Sequence, residues 1–276
     1  MKKLTAFLLA LMTVAGLFLS AAPARAGEAP ERLPDEVLMT YFDGALFAGD
    51  SQIAKFQNYV KKQRKNDPGF FEGVVFKAAN SYKFRFAAYK TLQESEKAHL
   101  TLEGRKTTLY AIVKKDPPKK LFMLAGLNDA FTTDYTKKRN GRDETGYERA
   151  ARYVREMTAL VREAAPETEI FIISQMPVTR NFAQGTNGYR KCQDRFDLVN
   201  ETVKQECEAL GIRFVDLASG LKDEEGLLPG KYCQDGQCHL NDAGYGIFSQ
   251  ELLDYAQAEY EAGRWTPGDS AETEKE

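Results

Sequence analysis

The sequence is short of histidine, cysteine and tryptophan, and neither sign of charge predominates. Its 276 residues include two His, four Cys and one Trp, and 38 Lys and Arg nearly balance 40 Asp and Glu. A chain without a strong basic excess is not typical of nucleic-acid-binding surfaces or of polybasic membrane patches. We therefore expect no nucleic-acid partner, and a small molecule or a neutral polymer is the favoured ligand.

Long apolar runs are missing except at the N-terminus. There, Lys2 and Lys3 precede an apolar run from Leu4 to Leu19, and Ala24-Arg25-Ala26 has the pattern of a cleavage site. Residues 1–26 are therefore predicted to be a signal peptide, although an uncleaved membrane anchor is the alternative. This prediction implies a secreted or periplasmic protein with no stable membrane insertion after cleavage.

The rest of the chain divides by composition into three parts. Residues 27–40 are rich in proline and charge and are interpreted as a linker. Residues 41–262 carry the apolar patterning of a folded domain, in which no internal repeat stands out. Residues 263–276 are polar and acidic, which predicts a disordered tail.

The four cysteines are expected to be oxidised if the protein is exported. Cys192 and Cys207 lie on or beside one predicted helix, too far apart along it to pair with each other. Cys233 and Cys238 would close a small loop just before His239. A zinc site of Cys233, Cys238 and His239 is the alternative, but it lacks a recognisable ligand spacing. We therefore expect disulfides, and neither a metal nor an organic cofactor.

Five short apolar runs alternate with segments of helical periodicity. Runs that are apolar throughout, each followed by a helix, indicate a parallel sheet covered by helices on both faces. The predicted strands are Gly44–Ala48, Gly73–Phe76, Leu121–Ala125, Glu169–Ser174 and Ile212–Asp216. Residues His99–Leu109 are predicted to form an inserted β-hairpin with Glu103 and Gly104 at its turn. The fold class is therefore α/β.

Ser51 stands where such a sheet usually binds its ligand, directly after the first predicted strand. Gly49 permits a tight turn there, and Ser51 follows at the start of a helix, where backbone N–H groups stabilise a nearby oxyanion. The alternative is that Ser51 only caps the helix, which is a common role for serine.

Two further polar residues follow the same pattern. Asn128 comes just after the third predicted strand, and its amide is a candidate hydrogen-bond donor to the same oxyanion. His239 directly precedes the last predicted helix. Because His99 falls in the predicted hairpin, His239 is the histidine expected to act as a base for Ser51.

The order of three motifs resembles the SGNH (GDSL) hydrolase family. They are Gly49-Asp50-Ser51, then Gly126-Leu127-Asn128-Asp129, then Asp235 with His239-Leu240. The resemblance spans about residues 41–260. It implies a flavodoxin-like three-layer α/β/α sandwich with a five-stranded parallel sheet. It also implies ester hydrolysis through an acyl-enzyme.

The resemblance assigns a role to each site residue. Ser51 is the expected nucleophile, His239 its general base, and Asp235 the acid that orients His239. The backbone N–H of Ser51 and the amide of Asn128 are expected in the oxyanion hole. The expected substrate is a small-molecule or glycan ester.

Two departures from the family pattern qualify these assignments. The glycine that usually supplies an oxyanion donor after the second strand is absent, and Ala79 is the residue expected to take its place. Asp235 lies four residues before His239, whereas the family places the acid three residues before. The alternative is that a backbone carbonyl, rather than Asp235, orients the histidine ring.

Two other functions are compatible with the same motifs. One is transfer of acyl groups between glycans, since a sugar hydroxyl and water attack the same acyl-enzyme. The other is a non-catalytic envelope or carbohydrate-binding protein that retains the motifs. The sequence does not determine the acyl chain or the alcohol of the substrate.

Overall fold

The computed structural model of the protein describes residues 31–93, 96–130, 144–182 and 188–268. Contacts divide the chain into residues 1–32 and residues 33–276, and the second unit holds every element below. The predicted signal peptide, residues 1–26, and residues 269–276 of the predicted tail lie outside the described residues. No helix among the described residues is long and apolar enough to cross a membrane.

The described residues form strands and helices that alternate along the chain. The strands are β1 (Ala45–Gly49), β2 (Val75–Ala78), β3 (Leu100–Leu102), β4 (Arg105–Thr107), β5 (Lys120–Leu124), β6 (Glu169–Ile173) and β7 (Arg213–Val215). The α-helices are α1 (Asp35–Met39), α2 (Ser51–Gln63), α3 (Phe84–Ala87), α4 (Leu109–Lys115), α5 (Leu127–Ala130), α6 (Gly146–Ala164), α7 (Gly188–Leu210) and α8 (Asp242–Glu261). Short 3₁₀ turns cover Thr40–Phe42, Ser219–Leu221 and Gly230–Tyr232.

Five of the strands form one parallel sheet in the order β2-β1-β5-β6-β7. Counted along the sheet strands alone, this is the 2-1-3-4-5 order of flavodoxin-like folds. In this order the chain reverses direction across the sheet between β1 and β5, which is where ligands bind at the carboxyl ends of the strands. The predicted fold class is confirmed.

The two faces of the sheet pack different side chains. Phe47, Phe122 and Phe171 are paired in register on neighbouring strands, and their rings stack with centroids 4.7 and 4.4 Å apart. This aromatic face is covered by α1, α2 and α8, whereas the mainly aliphatic opposite face is covered by α3 to α7. Alternation of side chains along each strand therefore produces two cores.

The predicted hairpin is also confirmed. Strands β3 and β4 pair antiparallel, and Glu103 and Gly104 between them have φ of 52° and 75°. Left-handed backbone at both turn residues matches the twist that a two-residue hairpin loop needs. The hairpin contacts the edge strand β2.

The described residues of both flanking segments, 31–40 and 263–268, are more ordered than the composition predicts. Within the predicted linker, residues 27–40, the structure forms α1, and Leu38 is fully buried. Within the predicted tail, Trp265 is 5% exposed and packs edge-on against Tyr41, with ring centroids 5.3 Å apart. These segments depart from the prediction because isolated apolar residues in a polar stretch find partners on distant elements.

The four cysteines are free thiols in the structure, in contrast to the expected disulfides. Cys192 and Cys207 both lie on α7 and are buried against the aliphatic core. The Cys233 thiol donates a hydrogen bond to Oδ1 of Asp235 at 3.3 Å. Cys238 is buried in the same loop.

Candidate active site

Ser51 is presented by a tight turn between β1 and α2. A Cβ atom on Gly49 would lie 2.0 Å from the carbonyl oxygen of Leu124, so only glycine fits there. The side chain of Asp50 accepts a hydrogen bond from the backbone N–H of Gln52 at 2.9 Å and is the N-cap of α2. Ser51 is therefore the first helical residue, and its hydroxyl is not needed as the cap.

The three residues expected in a triad lie together. Ser51 Oγ is 2.9 Å from Nε2 of His239. The other ring nitrogen, Nδ1, is 2.5 Å from Oδ2 of Asp235. The arrangement is a continuous hydrogen-bonded chain from hydroxyl to imidazole to carboxylate, the geometry that activates a serine nucleophile.

Asp235 reaches His239 despite its extra residue of spacing. Its Oδ1 accepts hydrogen bonds from the backbone N–H groups of Gln237 at 2.8 Å and Cys238 at 3.0 Å, which folds the loop back on itself. Partial burial tends to raise the pKa of Asp235, but the hydrogen bonds from His239 and these N–H groups outweigh it and hold the pKa well below its usual range. The carboxylate is therefore charged and aimed at the imidazole.

Three buried polar residues that the sequence analysis did not select hold the loop 235–239 in place. Thr179 donates its backbone N–H and its hydroxyl to two carbonyls of this loop, at 2.7 and 2.6 Å. Gln52, next to the nucleophile, donates its amide to the carbonyl of Cys238 at 2.7 Å. The Tyr245 hydroxyl donates to the backbone carbonyl of Gln52 at 2.8 Å. Only the position of Gln52 beside Ser51 hinted at this role in the sequence.

On the opposite side of Ser51, the structure places Ala79 differently from the prediction. The N–H of Ala79 donates to the carbonyl of Gly49 at 3.0 Å and continues the pairing of β2 with β1. It is therefore not available to an oxyanion. Two residues later, Ser81 has a φ of 62°, in the left-handed region that favours glycine. Its N–H has no acceptor among the described residues, and Ser81 lines the cavity beside Ser51.

Asn128 lies in the one-turn helix α5 and borders the same cavity. Its amide nitrogen donates to the carbonyl of Tyr82 at 3.1 Å and to Oδ2 of Asp50 at 3.3 Å. The longer of these contacts is the weaker hydrogen bond. An oxyanion near Ser51 would therefore compete with Asp50 for one N–H of this amide.

The cavity at Ser51 has a volume of about 480 Å³ and is open to solvent. The triad residues and Asn128 occupy one part of its wall. Ala54, Leu127 and Phe182 provide the apolar part of the lining. A cavity of this size with a few convergent polar groups is typical of a small-molecule site.

The model for the GDSL-like lipase/acylhydrolase family matches residues 49–247, most of the folded unit. The chain belongs to this family. Membership establishes a hydrolase that acts on ester bonds. A search of curated proteins finds no sequence match to this chain.

Solved structures agree on the fold of this GDSL-family hydrolase. One is a GDSL-like lipase from Bacteroides thetaiotaomicron, with a TM-score of 0.51, 15% identity, and coverage of 78% of this chain and 88% of that chain. Another is an acetylxylan esterase from Geobacillus stearothermophilus, with a TM-score of 0.50, 16% identity, and coverage of 77% and 93%. At such low identity these likenesses show the shared fold alone.

The GDSL-family site also contains two buried carboxyl groups. Asp50 and Asp129 are each buried, and desolvation raises the pKa of each to about 7. The backbone N–H of Phe84 donates to Asp129 at 3.0 Å, so Asp129 holds the backbone at the start of α3. Both carboxyl groups exchange protons near neutral pH.

The metal alternative considered from the sequence does not fit this hydrolase site well. Of the predicted set Cys233, Cys238 and His239, the structure brings Cys238 and His239 together with Asp235, with potential ligand atoms within 4.8 Å of one another, and Cys233 is not part of this group. However, burial raises the pKa of the Cys238 thiol far above its usual range, and the carboxylate of Asp235 raises it further. A protonated thiol is a poor metal ligand, because the thiolate is the binding form. The carboxylate and the imidazole are already hydrogen-bonded to each other.

Proposed function

We propose that the protein hydrolyses carboxylic esters through a covalent acyl-enzyme on Ser51. The observation that carries the proposal is the hydrogen-bonded chain from Ser51 through His239 to Asp235, next to an open cavity. Family membership supports ester chemistry in general. The proposal is supported further by the hydrogen-bonding distances between Ser51, His239 and Asp235, which suit a nucleophile, a base and an orienting acid.

In the first half-reaction, His239 Nε2 accepts the Ser51 proton while Ser51 Oγ bonds to the ester carbonyl carbon. The carbonyl π electrons move onto oxygen to form a tetrahedral oxyanion. When this intermediate collapses, the bond to the leaving alcohol breaks and the imidazolium donates its proton to that alcohol. Asp235, charged and hydrogen-bonded to Nδ1, stabilises the imidazolium between these two transfers.

In the second half-reaction, water replaces the alcohol in the cavity. His239 takes a proton from water as the water oxygen attacks the acyl carbon of Ser51. Collapse of the second tetrahedral intermediate breaks the acyl–oxygen bond and returns a proton to Ser51. A carboxylic acid leaves, and the free serine is restored.

Three donors are proposed for the oxyanion hole. They are the N–H of Ser51 at the start of α2, the N–H of Ser81 in place of Ala79, and the Asn128 amide. The left-handed conformation of Ser81 and the lack of an acceptor for its N–H among the described residues support its assignment. The raised pKa of Asp50 favours its neutral form, which competes less strongly than a carboxylate for the Asn128 amide.

We also propose that this hydrolysis takes place outside the cytoplasm. The support is the composition of residues 1–26, with its basic start, apolar run and small residues at Ala24 and Ala26. Fusion of these residues to a reporter enzyme tests it, since export of the reporter is expected, and retention in the cytoplasm would contradict it.

The first test is hydrolysis of p-nitrophenyl acetate and longer p-nitrophenyl esters by the protein beside a Ser51→Ala variant. Ester cleavage that is lost in the variant is expected, and the chain-length profile would measure the acyl pocket. Labelling by a fluorophosphonate probe is expected at Ser51 only. Absence of both cleavage and labelling in the folded protein would overturn the proposal.

A further inference from the structure

A second, larger cavity continues from the active site along helix α2. Its volume is about 660 Å³, within the range of ligand sites, and it shares Lys55 and Asn58 with the cavity at Ser51. It extends to Lys62 and Asp242, which form an exposed ion pair at its far end. We name this cavity the α2 groove.

The α2 groove is lined by one face of α2 that begins at the nucleophile. Ser51, Lys55, Asn58 and Lys62 are spaced by four, three and four residues, the repeat that places side chains on one side of a helix. The distance from Lys55 to Lys62 along the helix axis is about 10 Å, at 1.5 Å per residue. A ligand in the groove would therefore extend directly from the reacting carbonyl.

Several polar groups in the groove have hydrogen-bonding capacity to spare. Lys55 Nζ donates to Oε1 of Gln234 at 2.8 Å, and the remaining ammonium hydrogens and the Gln234 amide hydrogens have no partner among the described residues. The Asn58 amide and the Tyr59 hydroxyl likewise make no hydrogen bond within that part of the chain. Tyr59 is held in place by its ring contacts with Phe56, Phe70 and Tyr245.

This lining contains both donors and acceptors beside a fixed aromatic ring, which suits a sugar. Each sugar hydroxyl is both a donor and an acceptor, and an amide such as Asn58 can serve both functions at once. Tyrosine combines an apolar ring with a polar hydroxyl, so it contacts both the C–H and the O–H groups of a saccharide. A lipid alcohol would leave these polar groups buried without partners, which is unfavourable.

The more apolar grooves of the described structure lie at the opposite end of the sheet. One is lined around Ala45, Val75 and Pro118, and the other around Pro118 and Thr168, all near the amino ends of strands. Ser51 and His239 lie at the carboxyl ends. An extended apolar chain bound in either groove would therefore not reach the nucleophile.

We propose that the α2 groove binds the alcohol part of the substrate and that this alcohol is a saccharide. The inference rests on the proposed ester hydrolysis and specifies its substrate class as an O-acylated sugar. Lys55 and Asn58, at the junction of the two cavities, are the residues expected to contact the sugar ring that carries the ester.

The experiment compares acetates that differ only in the alcohol. The substrates are p-nitrophenyl acetate, hexyl acetate, mono-O-acetylated xylobiose and mono-O-acetylated chitobiose, in which the other sugar hydroxyls are free. The variants are Lys55→Ala and Asn58→Ala, with Lys61→Ala as the matched control. Lys61 is exposed on the same helix and lines neither cavity. The quantity compared is the ratio of kcat/KM for a sugar acetate to kcat/KM for p-nitrophenyl acetate.

We expect the wild type to prefer at least one sugar acetate over hexyl acetate. Loss of a hydrogen bond to bound sugar lowers the ratio about tenfold in Lys55→Ala and Asn58→Ala. In Lys61→Ala the ratio stays that of the wild type. Circular dichroism confirms that each variant is folded.

Failure of the saccharide assignment and failure of the proposed ester hydrolysis would give different results. The saccharide assignment is overturned if the wild type prefers hexyl acetate, or if all variants share the kcat/KM ratio of the wild type. In either case, Ser51-dependent cleavage of p-nitrophenyl acetate would still support the proposed hydrolysis. If no acetate is cleaved by the folded wild type, the proposed function fails and this inference fails with it.

Discussion

The two sides of the candidate active site shift the pKa of aspartate in opposite directions. On the base side, residues 235–239, Asp235 accepts several hydrogen bonds, and its pKa lies well below the usual range. On the proposed oxyanion side, Asp50 and Asp129 accept fewer hydrogen bonds and are buried, and the pKa of each rises to about 7. Donors and desolvation, rather than residue type, therefore decide whether a carboxyl group is charged.

The two sides also differ in the degree to which their hydrogen bonds are preorganised for the proposed reaction. The base side is already assembled, because Thr179 and Gln52 hold the backbone of its loop. On the oxyanion side the Asn128 amide still donates to Asp50 and Tyr82. In the proposed mechanism one of these hydrogen bonds is exchanged for a bond to the tetrahedral intermediate, so the base side is preorganised and the oxyanion side rearranges when substrate binds.

Removal of the base has the largest expected effect. His239→Ala leaves Ser51 without a proton acceptor, and we expect kcat for p-nitrophenyl acetate to fall by on the order of 10⁶. The measurement is steady-state kinetics, with thermal unfolding as the check on folding. A folded variant that loses less than about 100-fold would contradict the base assignment.

Asp235→Asn tests whether the charge of the base side matters. The amide keeps the size of the side chain but removes the charge that stabilises the imidazolium and can select the wrong tautomer. We expect a loss in kcat of about 10⁴. A loss of less than about tenfold would show that a backbone carbonyl orients the ring instead.

Asn128→Ala tests the oxyanion side. Removal of one oxyanion donor is expected to lower kcat by roughly 10²–10³ with little change in KM. Ser81→Gly is the informative companion, because it keeps the backbone N–H and suits the φ of 62°. We expect Ser81→Gly to retain most of the activity. Wild-type kcat in Asn128→Ala would remove Asn128 from the oxyanion hole.

Asp129→Asn tests whether burial raises the pKa of Asp129, through the pH dependence of the free energy of unfolding. Because burial raises the pKa of Asp129 from its ordinary value of 3.8 to about 7, the folded state holds a proton that the unfolded chain has lost. The free energy of unfolding therefore falls as pH rises from about 4 to 7 and levels off above that range.

The asparagine variant lacks this titration but keeps an acceptor for the N–H of Phe84. Relative to wild type, its free energy of unfolding is expected to be higher at pH 8 than at pH 5 by about 2.6 kcal/mol. Urea denaturation at both pH values measures the difference. Parallel pH dependence in the two proteins would show that burial does not raise the pKa of Asp129.

The smallest effect is expected from Cys233→Ala. Its thiol is one of several donors to Asp235, and at 3.3 Å it is a weak one. We expect kcat to change less than about threefold, because the backbone donors remain. A much larger loss would mean that the thiol itself maintains the position of the acid.

The elements that the sequence predicted well are those determined by interactions between residues close together in the chain. The five strands of the sheet and the hairpin turn at Glu103 and Gly104 were confirmed, because apolar runs and turn residues act over short distances. Ser51, Asn128 and His239 were located by their positions after strands or before a helix. In a parallel sheet such positions converge on one edge regardless of the details of packing.

Other features depended on partners far away in the chain. Ala79 was predicted as an oxyanion donor, but its N–H pairs with Gly49, and Ser81 has the left-handed backbone instead. Where β2 ends is decided by its pairing with β1. In the same way, Leu38 and Trp265 lie in segments of polar composition, and only contacts with distant elements bury them.

The sequence by itself determined the fold class, the order of the motifs and the residues from which a triad is built. Tertiary structure alone decided that Asp235 reaches His239 across an extra residue, that Gln52 and Thr179 hold the loop, and which carboxyl groups are buried. The physical reason is the sequence separation of the residues involved. Periodicity and turn chemistry depend on residues that are neighbours in sequence. The hydrogen-bond partners and the desolvation of these side chains depend on segments that are distant in sequence and meet only in the fold.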